Sequence, residues 1–188
     1  MPPKVRITKK DIVSTAVNIV RRDGASALNA RSIAGKLGCS TQPVFSNFAT
    51  MDELRCAVLA AADALYQEYI DREIAAEKYP AYKAAGMAYI RFAREEKELF
   101  KLLYMRDRSC EKLPAEETES DEKVLDIMQT STGLGGDMAK LFHLEMWAFV
   151  HGIATMMATD YLELDTELIS EMMTDAYLGI KKHYKTKE

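Results

Sequence analysis

The sequence predicts an all-α fold of about nine helices, on three observations. Apolar residues recur at helical spacing through nearly the whole chain, and no run alternates with the period of a strand. Gly24, Gly38 and the glycines of 133–136 punctuate those runs where helices are expected to end. Charge is divided as well. Residues 1–50 hold Lys4, Arg6, Lys9, Lys10, Arg21, Arg22, Arg31 and Lys36 against Asp11 and Asp23, a balance of +6 in a 188-residue chain whose net charge is −4. The remainder therefore carries −10. Phosphates would attract the first fifty residues and repel the rest.

Composition narrows the class. A content of 48% hydrophobic and 29% charged residues suits a globular protein able to bury a core. No run of eighteen apolar residues exists, so no membrane partner is expected. The opening Met1-Pro2-Pro3-Lys4-Val5-Arg6 lacks the apolar centre of a signal peptide, and the cytoplasm is the expected compartment. Cys39, Cys56 and Cys110 form no CxxC pair and have no histidines at metal-ligand spacing, which fits buried thiols in a reducing compartment. His143, His151 and His183 sit in no nucleophile–base–acid arrangement. No enzyme, metal or cofactor is expected.

In chain order, residues 1–7 read as an arm whose Lys4 and Arg6 lie along phosphates or reach into a minor groove. Thr8 is placed to cap a first helix carrying Ile12, Val13, Ala16, Val17, Ile19 and Val20 and ended by Gly24. From Asn29, a second helix presents Ile33, Ala34 and Leu37 on one face. Gly38 follows where positive φ is wanted, and Ser40 where a cap is wanted. The third helix is anchored by Val44 and Phe48. Its other face carries Thr41, Gln42, Pro43, Ser46 and Asn47, which are small or amide-bearing and uncharged. Amides bond adenine bidentately and hydroxyls bond either partner, so this face suits base edges. Two helices, a glycine turn and a polar second helix are the parts of a helix-turn-helix.

The order of these landmarks over roughly residues 8–54, with the aromatic Phe45 and the Asp52-Glu53-Leu54 helix start, resembles the DNA-binding domain of TetR-family transcriptional regulators. The resemblance implies double-stranded DNA as partner. The expected contacts are Lys4, Arg6, Asn29, Arg31, Ser40, Thr41, Gln42, Pro43, Phe45, Ser46 and Asn47. Family members usually carry Tyr at the position of Phe45 and often Lys at that of Met51, both contacting phosphate. Those contacts would be missing here, and binding to any sequence weaker.

The domain boundary is expected at 51/52, with residues 1–51 as the head and 52–188 as a helical bundle for ligand binding and dimerisation. A long helix from about Asp52 past Ile70 should bury Leu54, Val58, Ala61, Leu65, Tyr69 and Ile70. Pro80 suits the first turn of the next helix, which bears Tyr82, Met87, Tyr89, Ile90 and Phe92. Another carries Leu99, Phe100, Leu102, Leu103 and Met105. Residues 107–122, polar and acidic, read as an exposed loop, and a short helix follows from Val124 to about Thr130. The glycines of 133–136 lack the strand and Lys-Ser/Thr of a phosphate loop and read as a connection.

Asp137 could cap a helix to about Thr159 that is apolar nearly all round and so needs burial on most sides. The last helix, Thr166 to about Tyr184, carries a stripe of Leu168, Ile169, Met172, Met173, Ala176, Tyr177 and Ile180. One chain cannot cover both faces of these helices, and pairing 137–159 and 166–184 with their copies would make a four-helix homodimer. Dimerisation through the last two helices is also what the resemblance implies. Trp147, three residues and then His151-Gly152 resembles the C-terminal subgroup named WHG for those letters. His151 reads as a packing histidine, and Gly152 as a place of close helix approach.

A regulator of this kind takes a small, mainly apolar effector. Tyr89, Phe100, Tyr104, Phe142, His143, Met146 and Trp147 are the expected pocket. The effector would pivot the 52–70 helix and so oppose DNA binding. The expected function is a ligand-released repressor binding a palindromic operator as a homodimer. The alternative is a helical protein-interaction module with a degenerate DNA-binding head.

Overall fold

A computed structural model of the chain describes residues 7–106 and 119–185. Nine α-helices and no strand occur among the described residues: α1 Lys9–Asp23, α2 Ala30–Leu37, α3 Gln42–Asn47, α4 Met51–Ala75, α5 Ala81–Glu95, α6 Lys97–Tyr104, α7 Glu119–Thr132, α8 Gly136–Ala158 and α9 Thr166–Lys185. They form two compact units, Met1–Asp63 with Glu98–Arg106, and Ala64–Lys97 with Asp107–Glu188. Lys4, Arg6 and Cys110 lie outside the described residues, as does most of the loop expected over 107–122.

In the first unit, α1 starts at a reciprocal cap. The Asp11 amide donates to Thr8 Oγ1 (3.2 Å) and the Thr8 amide to Asp11 Oδ2 (2.9 Å). Gly38 closes α2 at φ 64°, ψ 33°, the left-handed conformation that a Cβ disfavours. Ile12, Ala16, Val20, Ile33, Val44, Phe48, Leu54, Val58, Leu99 and Phe100 fill the core between these helices. Ser40 is not the cap of α3. Thr41 occupies that position in αR conformation without a side-chain cap, and Pro43 in the first turn sets the helical φ instead. The cap-and-acid pattern expected around Asp52 is carried by Thr50 and Glu53: Glu53 N–H donates to Thr50 Oγ1 (3.1 Å), and Ala49 N–H to Glu53 Oε2 (2.7 Å).

The buried line of α4 runs through Ala62 in the first unit and Tyr66 in the second, while Ala61 and Leu65 are half-buried. Both pairs fall in the same turns, and the partner rings decide between them. Tyr66 meets Tyr89 edge-on at 5.6 Å and Phe92 at 5.4 Å. Polar contacts fasten α4 to α5 as well: Arg91 pairs with the buried Glu73, and Tyr69 OH donates to Glu95 (2.9 Å). Pro80 caps α5 from outside the helix rather than lying in its first turn. α7 begins at Glu119, five residues before the expected Val124. Asp137 is inside the first turn of α8 and not its cap, which is Gly135.

Tyr82, Met128, Phe142, Met146 and Tyr184 form a core where α5, α7, α8 and α9 meet. α8 is not buried on most of its circumference within one chain. Met138, Leu141 (48% exposed), Leu144 (56%) and Trp147 remain open on it, as do Leu168 and Leu178 on α9. The available helices cover only the inner side. No helix among the described residues is long and apolar enough to cross a membrane.

Candidate nucleic-acid interface and ligand cavity

α3 is six residues long, and its presentation depends on two side chains. Val44 is 1% and Phe48 3% exposed, so the short helix is held by that edge. Burying the two contributes roughly 4 kcal/mol at about 2 kcal/mol each. Gln42, Phe45 and Ser46 then face outward and Thr41, Pro43 and Asn47 lie half-buried beside them. Two of these side chains already have partners: Ser46 Oγ donates to Gln42 O (2.9 Å) and Asn47 Nδ2 to Pro43 O (2.8 Å). Gln42 therefore presents the amide, and Phe45, 51% exposed, the apolar surface of that face.

Asn29 belongs to the scaffold. Its Oδ1 accepts from the amides of Arg31 (3.1 Å) and Ser32 (3.0 Å), and its Nδ2 donates to Ala27 O (3.2 Å). That arrangement fixes the start of α2 and leaves the Arg31 side chain exposed, with no ion pair among the described residues. Lys9 spans from α1 to Glu53 on α4 (3.2 Å) and lies 4.9 Å from the Phe48 ring centre. The Ala49 amide, and then Lys9, hold the Glu53 carboxyl below its ordinary range. The head thus exposes an uncharged helix face together with the Arg31 cation.

The second unit contains a cavity of about 550 Å³. α5 contributes Tyr82, Lys83, Gly86 and Tyr89, α8 contributes His143, Met146, Trp147 and Val150, and α9 contributes Met173, Thr174, Tyr177 and Leu178. Tyr66 of α4 and Val124 and Ser131 of α7 complete the wall. Gly86 lines it, and a Cβ there would overlap the Met173 methyl, the far end of a flexible side chain. The close helix approach is therefore at Gly86. Gly152 is exposed and has nothing opposite it within one chain.

Two tyrosine–histidine bonds tie α5 to α8. Tyr82 OH lies 3.0 Å from His143 Nδ1, and Tyr89 OH 2.9 Å from His151 Nδ1. Burial raises the Tyr82 phenol well above the usual tyrosine range, so it stays protonated. Burial also lowers His151 below the usual histidine value, favouring the neutral ring that accepts from Tyr89. Trp147 stacks on His151, with centroids 4.7 Å apart and planes 17° apart. No group of three or more metal-ligating side chains occurs among the described residues.

Of the seven residues expected to line a pocket, Tyr89, His143, Met146 and Trp147 meet at this cavity. Phe142 is one residue too far round α8. It is wholly buried among Tyr82, Tyr177 and Tyr184. Phe100 and Tyr104 belong to the first unit and pack on each other at 5.3 Å. The residues that sequence reasoning missed lie mainly on α5 and α9. The signal available for them was spacing: Tyr82, Gly86 and Tyr89 share one helix face, as do Met173, Thr174 and Tyr177.

Residues 82–177 match the family model described as the tetracycline repressor-like C-terminal domain. No curated protein matches the sequence at a significant level. Among solved structures, a protein of unknown function from Rhodococcus sp. RHA1 is similar with a TM-score of 0.72 at 21% identity, covering 97% of this chain and 98% of its own. A TetR-family member from Streptomyces coelicolor A3 is similar at 0.67 and 19%, covering 89% and 96%. The multidrug-binding protein EbrR, solved in complex with imidazole, is similar at 0.62 and 16%, covering 89% and 88%. At such identities the likeness establishes the fold, a helix-turn-helix head with a helical second domain. With its family model matched over just over half of the 188 residues, the chain belongs to the TetR-like family of transcriptional regulators.

Proposed function

We propose that this regulator is a cytoplasmic, ligand-released repressor that reads a palindromic operator as a homodimer. The observation that carries the reading is α3, a short helix held by Val44 and Phe48 with Gln42, Phe45 and Ser46 of its uncharged face turned outward and Thr41 and Pro43 half-buried beside them. Gln42 is the base reader, and the exposed Arg31 side chain takes phosphate. Lys4 and Arg6 of the arm add phosphate contacts. One such helix reads few base pairs, and a two-fold copy about 34–36 Å away reads the second half-site.

The dimer would form through 137–159 and 166–184. The open apolar side chains Leu141, Leu144, Leu168 and Leu178, with Gly152 free for close approach, support that pairing. The cavity is the effector site. Similarity in fold to a multidrug-binding protein agrees with that use. α4 contributes residues to both units and is the element expected to carry the coupling, so that effector and operator weaken each other's binding.

The test is selection of random duplex DNA by the purified full chain at two salt concentrations, followed by sequencing. An enriched palindrome is the expected result, with preference relaxed in Gln42→Ala. No binding at either salt would overturn the reading and favour a head that docks protein through the exposed Phe45.

A further inference from the structure

The charge of the cavity wall is one-sided. Among the described residues that line it there is no aspartate or glutamate, while Lys83 is part of the wall. Lys83 Nζ donates to Thr174 Oγ1 (2.7 Å) and lies 5.1 Å from the Tyr79 ring, and it forms no ion pair among the described residues. Two donors of its ammonium remain for a ligand. A second cation stands one turn further along α9: Lys181 Nζ donates to the hydroxyl of the lining residue Tyr177 (3.0 Å) and also forms no ion pair among the described residues. On α8, Glu145 is outside the lining and accepts from Tyr184 OH (3.2 Å). The rest of the wall is rings, methionines and valines around a few hydroxyls.

We propose that the effector is an apolar molecule ending in a single carboxylate, with its body among Tyr66, Tyr89, Met146 and Trp147 and its anion on Lys83 between Thr174 and Tyr177. This rests on the reading of the cavity as the effector site and assigns its ligand class. An anion there gains a charge-assisted hydrogen bond and neutralises a lysine that has no carboxylate partner. A cation of the same shape meets Lys83 and no carboxylate among the described lining residues, and the surrounding rings return less than that repulsion removes. A neutral alcohol gains the apolar contact alone.

The sole tryptophan, Trp147, lines the cavity, so its fluorescence reports occupancy. The full chain is titrated with 4-phenylbutyrate, 4-phenylbutanol and 4-phenylbutylamine, and then with decanoate, decanol and decylamine, which distinguish an aromatic from an aliphatic body. The carboxylate of either set should bind about tenfold more tightly than its alcohol, and the amine least. Lys83→Gln should remove most of that margin while the alcohol's affinity stays within about twofold, and Lys83→Arg should restore it. An alcohol or amine that binds as tightly as its carboxylate overturns the ligand class and leaves the cavity as effector site. Binding by none of the six probes overturns the effector-site reading and this inference with it.

Discussion

α3 and α8 are built on opposite plans. α3 has six residues, and one narrow edge of it is buried. α8 has 23 residues, its inner line of Phe142, Met146, Val150, Ile153 and Met157 is buried, and apolar side chains continue on its outer side. A helix as short as α3 has almost no stability of its own, so its position is dictated by the neighbours that receive Val44 and Phe48. α8 is defined by its own length and by packing along every turn. The outer face of α3 can therefore change residue by residue at little cost to the fold, whereas a change in α8 alters both core and cavity.

The largest test of that contrast is Phe142→Ala. With its ring wholly buried, the substitution should cost about 3–5 kcal/mol in urea unfolding. Gln42→Ala, on the outer face of α3, should leave the unfolding midpoint where it is while altering DNA selection. Equal losses of stability would break the comparison. Arg91→Ala comes next. It strips the buried Glu73 of its cation, and a loss near 3 kcal/mol is expected, because half of a buried pair costs more alone than the pair is worth. Asn29→Ala removes the α2 cap and should cost about 1 kcal/mol; a normal melting curve would make the side chain available for DNA after all.

The smallest expected effect is in pH. The folded chain holds His151 below its ordinary value of 6.5. The unfolded chain thus binds the proton first, and the group's contribution is complete above that pH and declines as the pH falls through it. The melting temperature should drop between pH 7.5 and 5.5 by more in the parent chain than in His151→Gln. Matching slopes would show that Tyr89 bonds the imidazolium as well as the imidazole.

The sequence made α1 to α3 legible because their signals are local. Thr8 caps and Gly38 takes positive φ within a few residues of the helix each one bounds. The short α3 start was misread at Ser40, since Pro43 supplies by its ring what a cap would supply by a hydroxyl. The cavity was half legible. Tyr82 meets His143 across 61 positions, and no local pattern says that His143 faces a void while Phe142 faces the core. A rotation of about 100° on α8 separates those two fates, and which one each side chain meets depends on α5, α7 and α9. Tyr104 and Phe100 show the same limit, for aromatic content identifies a wall but not which room it belongs to.

Gly86 has an evolutionary consequence. Its missing Cβ leaves room for the methyl end of Met173 in the wall of the cavity. A single methyl added there would displace only a flexible thioether, leaving the hydrogen bonds between α5 and α8 intact. On the proposed reading of the cavity as effector site, a Gly-to-Ala exchange, one nucleotide away, would change the size of ligand accepted while leaving α3 and the fold untouched.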